Sequence, residues 1–279
     1  MKRKIAILFH EKARGQSLNY LINHYAEFWR EDGHEVIFLS GVAQFVPADL
    51  VIVHVDLSVV PEEYLEFAKR YPIALNGEVK DIRKSTYSQL IVKPGDPYDG
   101  KVIVKSNFNY AAGPERSLGV PLDPRGVSAS FFGSPLDYQI FESQKAVPAI
   151  LFSDPNIVVE TFQPEFEDGF YHLRVQLFVG DHVTCTRMVS RNPIVNGSTQ
   201  IRIERVEPHP EIVRLQKAMK FDYGKFDYVI HNGKAVLLDA NKTTGGATIK
   251  STPELVAMRR YRAEGLYNYF KRAPERIVP

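Results

Sequence analysis

Three residues with oxygen-bearing side chains, Asp227, Asp239 and Asn241, stand where one hairpin can gather them. Tyr228–Ile230 and Ala235–Leu238 read as short strands, and His231-Asn-Gly233 between them carries the Asn-Gly signature of a tight hairpin turn. Asp227 is expected to open the first strand, with Asp239 and Asn241 closing the second. Antiparallel pairing then sets the start of one strand beside the end of the other. Asp239 and Asn241 are two residues apart, so they share a face. Two carboxylates and an amide oxygen suit a hard cation such as Mg²⁺, which keeps waters and accepts phosphate oxygens. The buried-type pair Leu237-Leu238 leads straight into Asp239 and holds it rigidly, and Thr243-Thr-Gly-Gly246 follows with hydroxyls and backbone N–H groups. The same residue types also suit a surface hairpin with polar ends, and the hairpin alone does not decide between the two.

The stretch from Asp227 to Asp239-Ala-Asn241-x-Thr-x-Gly resembles the metal-binding signature of the ATP-grasp superfamily, of the carboxylate–amine ligase type, with Asp in place of the usual Glu. The resemblance implies two Mg²⁺ ions (Mn²⁺ as a substitute) held on ATP phosphates by Asp227, Asp239 and Asn241. It implies further matches in order along the chain. Val102-Ile-Val-Lys105 is similar to the family strand that ends in a phosphate-binding lysine. The segment Ser106–Glu115, with small residues only at Ala111, Ala112 and Gly113, takes the place of its phosphate loop. The other family lysine falls on Lys84, with Lys93 as second candidate. Ile157–Glu165 resembles the hinge between two lobes, which puts Glu160, Thr161 and Phe162 on the adenine side and Glu165 or Glu167 on the ribose. Arg174 and Arg187, with Arg191 left open, are implied as arginines on the γ-phosphate and the acyl-phosphate. Taken singly, each of these lysines and arginines suits an ordinary solvated strand end.

The elements that must position these groups fall into three parts. Residues 1–77 read as a small open α/β domain. Its strands are Ile5–Phe9, Glu35–Leu39, Leu50–Val55 and Ile73–Leu75, with a helix at Ser17–Glu31 and another opened by Pro61-Glu-Glu63. No Gly-x-Gly-x-x-Gly follows the first strand, which excludes a dinucleotide cradle there. Residues 78–162 hold a charged helix around Asp81–Leu90, the Lys105 strand, a strand at Tyr138–Phe141 and the hinge. Residues 163–279 hold the strands Tyr171–Val179, His182–Arg187 and Ile201–Arg205, an amphipathic helix at His209–Lys220, the metal hairpin and a terminal helix at Leu255–Arg272. The fold class expected is α/β (α+β): a small N-terminal open α/β domain followed by two α+β lobes clasping ATP.

Composition sets the outer limits. The chain has 279 residues, 44% hydrophobic and 24% charged, with net charge +2, so it has the apolar content for a real core and no basic excess to suggest nucleic acid or a membrane surface. A single cysteine, Cys185, rules out an internal disulfide and a cysteine metal cluster. No apolar run approaches a bilayer span, and the N-terminal run is too short for a signal peptide, so a cytoplasmic protein is expected. The resemblance implies a ligase that joins a carboxylate to an amine, on small molecules or peptides, through an acyl-phosphate; a homodimer is compatible with it. An ATP-grasp kinase and a non-catalytic nucleotide-binding module are the alternatives. His54 at the end of a buried strand, Asn196 and Gly245 are the residues set aside for substrate contact.

Overall fold

The computed structural model describes residues 2–13, 19–126, 138–246 and 250–272. The chain opens with a four-stranded parallel sheet, built from β1 (Lys4–Phe9), β2 (Glu35–Ser40), β3 (Leu50–Val53) and β4 (Ala74–Leu75) in the order β2-β1-β3-β4. β1 and β3 are almost continuously apolar because both faces are covered. One face packs on α1 (Ile22–Glu31), which buries Ile22, Tyr25, Ala26 and Trp29 at helical spacing, and the other on α2 (Glu62–Ala68). The helix expected over Ser17–Glu31 starts at Ile22, and residues 14–18 lie outside the described residues.

The next stretch is less regular than the sequence suggested. The charged helix expected over Asp81–Leu90 is one turn, α3 (Lys84–Tyr87), bounded by extended backbone at Arg83 and Ser88. Then come β5 (Val102–Ser106), α4 (Gly113–Ser117), β6 (Gln139–Phe141), α5 (Ala149–Ser153) and β7 (Ile157–Thr161). The three strands form an antiparallel sheet in the order β6-β5-β7.

The remaining strands, β8 (Glu165–Glu167), β9 (Phe170–Val179), β10 (His182–Ser190), β11 (Gln200–Val206), β12 (Tyr223–His231) and β13 (Lys234–Asn241), form one antiparallel sheet in the order β11-β10-β9-β12-β13, with β8 also on β9. Asn232 and Gly233 both have positive φ, the geometry a two-residue hairpin turn requires. Helix α6 (Pro210–Ala218) covers one face of this sheet, and the His209 ring caps it by accepting the Glu211 N–H. The terminal helix is two helices, α7 (Pro253–Glu264) and α8 (Tyr267–Arg272). Gly265 stands at the break: a side chain there would fall 2.0 Å from the Val179 carbonyl, so only glycine lets the chain cross β9 so closely.

α7 packs on β9 and β10 of the large sheet and also reaches the first one. It packs on α1, and the Trp29 indole N–H donates to the Ala263 carbonyl at 2.8 Å. Val179, Tyr223, Ala263 and Leu266 sit in the same apolar cluster as Ile5, Ile7, Leu50 and Ile52. One core therefore joins the first strands of the chain to the last helices.

Candidate active site

The β12–β13 register sets Asp227 directly opposite Asp239, and Lys225 opposite Asn241. Directly opposed residues share a face, so these four side chains form one patch. Asp227 is not at the start of its strand but in the middle of β12, and this is why Lys225 joins the patch. Each carboxylate has its own ammonium: Lys84 Nζ lies 2.9 Å from Asp239 Oδ1, and Lys225 Nζ lies 2.6 Å from Asp227 Oδ2. Lys84 reaches the patch because the short α3 crosses beside β13; the Tyr87 hydroxyl anchors it by accepting the Ala240 N–H at 3.1 Å.

Burial works against every charge here, and pairing decides the outcome. Burial pushes the Asp239 carboxyl up, but Lys84 and Lys225 outweigh it and hold the group below its usual range. At Asp227 burial wins over Lys225, and the carboxyl is raised. Burial also favours neutral Lys84 and Lys225, yet the facing aspartates keep both raised. Burial lifts the Tyr87 and Tyr138 hydroxyls above their ordinary range, so both stay protonated.

A third ion pair continues the cluster. Lys105 ends a fully apolar run on β5, and its ammonium lies 2.5 Å from Glu160 on the neighbouring β7. Glu160 is completely buried. Its carboxylate thus meets Lys105 rather than reaching past the hinge. The hinge backbone is bonded as well: Thr161 N–H donates to the Leu90 carbonyl and Phe162 N–H to the Lys101 carbonyl, both at 2.8 Å.

The donor set suits a hard divalent cation. Asp227 Oδ1 is buried with no hydrogen-bond partner among the described residues, the kind of orphaned oxygen a cation would satisfy. Asp239 faces it, and Asn241 Oδ1, two residues on, accepts the Thr243 N–H at 2.7 Å. Asp227, Asp239 and Asn241 could hold the metal, with Lys84, Lys105 and Lys225 around it for a polyphosphate.

The arginines are not part of this patch. Arg174 pairs with Tyr228 and Val175 with Asp227, so Arg174 lies on the opposite face of the sheet from the carboxylates. Arg187 is opposite Arg174 and shares that face. Arg174 makes a two-pronged ion pair with Glu165, at 2.8–3.1 Å, and Glu165 also accepts the Ile230 N–H. Arg187 pairs with Glu204 at 2.6 Å and Glu167 at 3.2 Å. Expected phosphate arginines and expected ribose carboxylates therefore neutralise each other. Arg191 is exposed, its guanidinium 6.0 Å from the Phe170 ring.

Of the other expected positions, Lys93 is exposed at a turn, leaving Lys84 as the lysine beside the carboxylates. Asn196 closes its own turn by accepting the Ser198 and Thr199 N–H groups. Gly245 is exposed, next to Asn19. His54 is fully buried in a box of Phe9, Tyr20 and Tyr223 rings. The segment expected to fold over phosphates is a tight 3₁₀ turn, Asn109–Ala112, with three successive left-handed residues, Tyr110, Ala111 and Ala112. It is tied back to the first domain, because Asn109 N–H donates to Ser58 Oγ and Ser58 N–H donates to Glu115.

Two lysines went unread in the sequence. Lys225 could have been found by extending β12 one alternation upstream of Asp227. Lys242 has no such signal: it lies between Asn241 and Thr243, is fully buried, and donates to the Leu57 carbonyl. Burial lowers it to about 8. Beside it, Asp56 accepts from both Tyr20 and Thr243 at 2.5 Å. These contacts fasten the end of β13 to the first sheet.

No family model matches the sequence, and no curated protein sequence matches it. Solved structures do. A RiPP-associated ATP-grasp ligase from Chryseobacterium gregarium, in complex with ADP and a leader and core peptide, superposes with a TM-score of 0.57 at 10% identity, covering 100% of both chains. A RimK domain ATP-grasp protein from Sphaerobacter thermophilus superposes with a TM-score of 0.50 at 12% identity, covering 95% of this chain and 99% of its own. At such identities the likeness speaks for architecture, and it does so over the full length: this chain has the ATP-grasp fold.

Proposed function

We propose that this protein is an ATP-dependent ligase that activates a carboxylate as an acyl-phosphate and joins it to an amine. The observation that carries this reading is the shared patch of Asp227, Asp239, Lys84 and Lys225, with Lys105 beside it, on the wall of an ATP-grasp fold. No cysteine or serine nucleophile is needed for such chemistry. A substrate carboxylate oxygen attacks the γ-phosphorus, the bond from that phosphorus to the bridging oxygen breaks, and ADP leaves. The amine nitrogen then attacks the acyl carbon, the carbon–oxygen bond to phosphate breaks, and the nitrogen loses its extra proton as the amide forms.

The residues act by charge and position. Divalent magnesium, held by Asp227, Asp239 and Asn241, would screen the phosphate charges. Lys84 and Lys225 hold their aspartates, and each ammonium would turn onto a phosphate oxygen when a cation takes over the carboxylates. Lys105, steadied by Glu160, offers a third ammonium. Tyr87 and Tyr138 stay protonated, and Tyr87 holds α3 against β13.

The Chryseobacterium ligase holds a leader and core peptide. Peptide carboxylates are therefore the first class to screen, followed by free amino acids. The test is release of ADP with a mass-identified product. Equal amounts of ADP, phosphate and amide support the ligase. A stable phosphoester without free phosphate would make the protein a kinase, and ADP release that is indifferent to any carboxylate would remove the ligase reading.

A further inference from the structure

The inner side of α7 carries two arginines, Arg259 and Arg262, three residues apart and so on one side of the helix. They are 2% and 1% exposed. A buried arginine is normally paired with an acid. These two are not. Arg262 donates from Nε to the Tyr25 hydroxyl at 2.8 Å and from Nη1 to Thr184 Oγ1 at 2.6 Å. Arg259 donates from Nη1 to Ser251 Oγ at 2.9 Å and from Nη2 to the Gly246 carbonyl at 3.3 Å, and its Nε has no hydrogen-bond partner among the described residues. Every one of these acceptors is a neutral oxygen. Arg260, between them in sequence, shows the contrast: it meets Glu31, Asp32 and Glu264.

Two positive charges held together away from water repel, and neutral acceptors do not cancel them. Burial and the neighbouring Arg262 charge both lower the Arg259 guanidinium. An anion would take up the free Nε and offset both charges at once. The place is one side chain below the surface, because the Ser251 that Arg259 holds is exposed and Gly246 is half-buried.

The register relates this pair to the aspartates. Thr184 on β10 and Lys225 on β12 both stand opposite Leu177 on β9, and Lys225 stands opposite Asn241 on β13. The four residues form one row across the sheet, on one face. With strands about 4.8 Å apart, Thr184 lies roughly 10 Å from Lys225 along that row. Leu177, between them, is only half-buried. One molecule can thus lie along the row with an anionic end at the arginines and a reacting end at the Asp227–Asp239 patch.

We propose that Arg259 and Arg262 bind a carboxylate of the acceptor, one that does not react, so that the amine joined by this protein belongs to an amino acid or to a peptide with a free C-terminus. The anion site stands on the unpaired guanidiniums; giving its carboxylate to the acceptor rests on the ligase reading. Guanidinium groups hold a planar carboxylate by parallel N–H bonds, a fit that ammonia or a simple amine cannot use.

Arg259→Met tests the site without nucleotide. Sulfate is titrated against chloride at constant ionic strength while the melting temperature is followed. The general salting-out effect is common to parent and variant. The parent should gain stability beyond it by linkage, and the variant should lose that extra gain. Arg259→Gln, which keeps a donor for Ser251, takes its place if the methionine variant does not fold. Equal sulfate responses in parent and folded variant overturn the site. Turnover then assigns the carboxylate. With ADP release as the readout, kcat/KM for free amino acids should exceed that for their α-amides by about 100-fold, and Arg259→Met should bring the ratio close to one while KM for ATP stays within about twofold. A parent indifferent to the carboxylate, or an unchanged ratio in the variant, overturns the assignment to the acceptor. If no acceptor supports ADP release, the ligase reading and the assignment fall together, and the sulfate titration still decides the anion site.

Discussion

Arg174 and Asp227 point away from each other: Arg174 stands opposite Tyr228, one residue past Asp227, and a step of one residue changes the face of a strand. The guanidinium belongs to the α6 side of the sheet with Glu165, and the carboxylate to the side that carries Lys84 and Lys225. Arg174→Met should therefore act on stability. It leaves Glu165 buried with only the Ile230 N–H, a loss of about 2–4 kcal/mol. The midpoint of urea unfolding should fall while the affinity for Mg-ATP, measured by calorimetry, stays within about twofold. A large loss of nucleotide affinity at unchanged stability would return Arg174 to the phosphates.

Changes at Asp239 and Lys84 should act on nucleotide binding as well as on stability. Asp239→Asn strips a buried ammonium of its partner and should cost about 2–3 kcal/mol, less than for a fully buried pair because a quarter of the Asp239 side chain is exposed. A second change, Lys84→Met, should recover most of that loss, since the unpaired charge is gone. Neither variant should gain thermal stability from Mg-ATP, whereas the parent rises with nucleotide concentration by linkage. If the double variant keeps the full Mg-ATP shift, the patch is not the nucleotide site.

Lys225 distinguishes a phosphate ligand from a structural ion pair. With a turnover assay in hand, Lys225→Met should lower kcat/KM for ATP by about 100-fold, the size expected for removing one fixed donor from developing charge. A simple structural role would move the melting temperature and leave the rate alone.

His54 gives a pH signature. Burial lowers it to about 3, with Lys242 adding to the effect, and neither ring nitrogen has a hydrogen-bond partner among the described residues. The groups around it are Tyr20, Tyr223 and Phe9, with Lys242 nearby and Asp56 two residues on. The unfolded chain takes up a proton near pH 6.5 and the folded one only near 3, so stability falls as pH drops through that window, by up to about 1.4 kcal/mol per unit. His54→Phe should flatten this slope in acid unfolding followed by fluorescence. An unchanged slope would place the acid sensitivity elsewhere.

The hairpin that carries Asp227 and Asp239 was legible because its signals are local. The Asn-Gly turn fixes the register as far as Tyr228 opposite Leu237, and a β-bulge at Leu238, which the sequence does not announce, then sets Asp227 against Asp239. The first sheet was legible because β1 and β3 are almost continuously apolar. The facing of β9 was not. Its sequence, Phe170-Tyr-His-Leu-Arg-Val-Gln-Leu-Phe-Val179, is partly or fully buried on both sides, so no alternation of polar and apolar residues tells which face Arg174 takes. A family pattern read one residue out of step then puts the wrong side chain into the cleft. Lys242 was hidden for another reason: nothing in Asn241-Lys-Thr243 reveals that the Leu57 carbonyl waits for its ammonium. The same holds for α7, whose docking on Trp29 joins residues 234 positions apart.

That docking has a meaning for how the protein is made. β1 through β4 leave the ribosome early, but the cluster on the α1 side of their sheet is not filled until Tyr223, Ala263 and Leu266 have been synthesised. Until then Ile22, Tyr25 and Trp29 lack the residues that complete their apolar cluster. The core of the N-terminal layer is thus complete only when residues near the far end of the sequence are present.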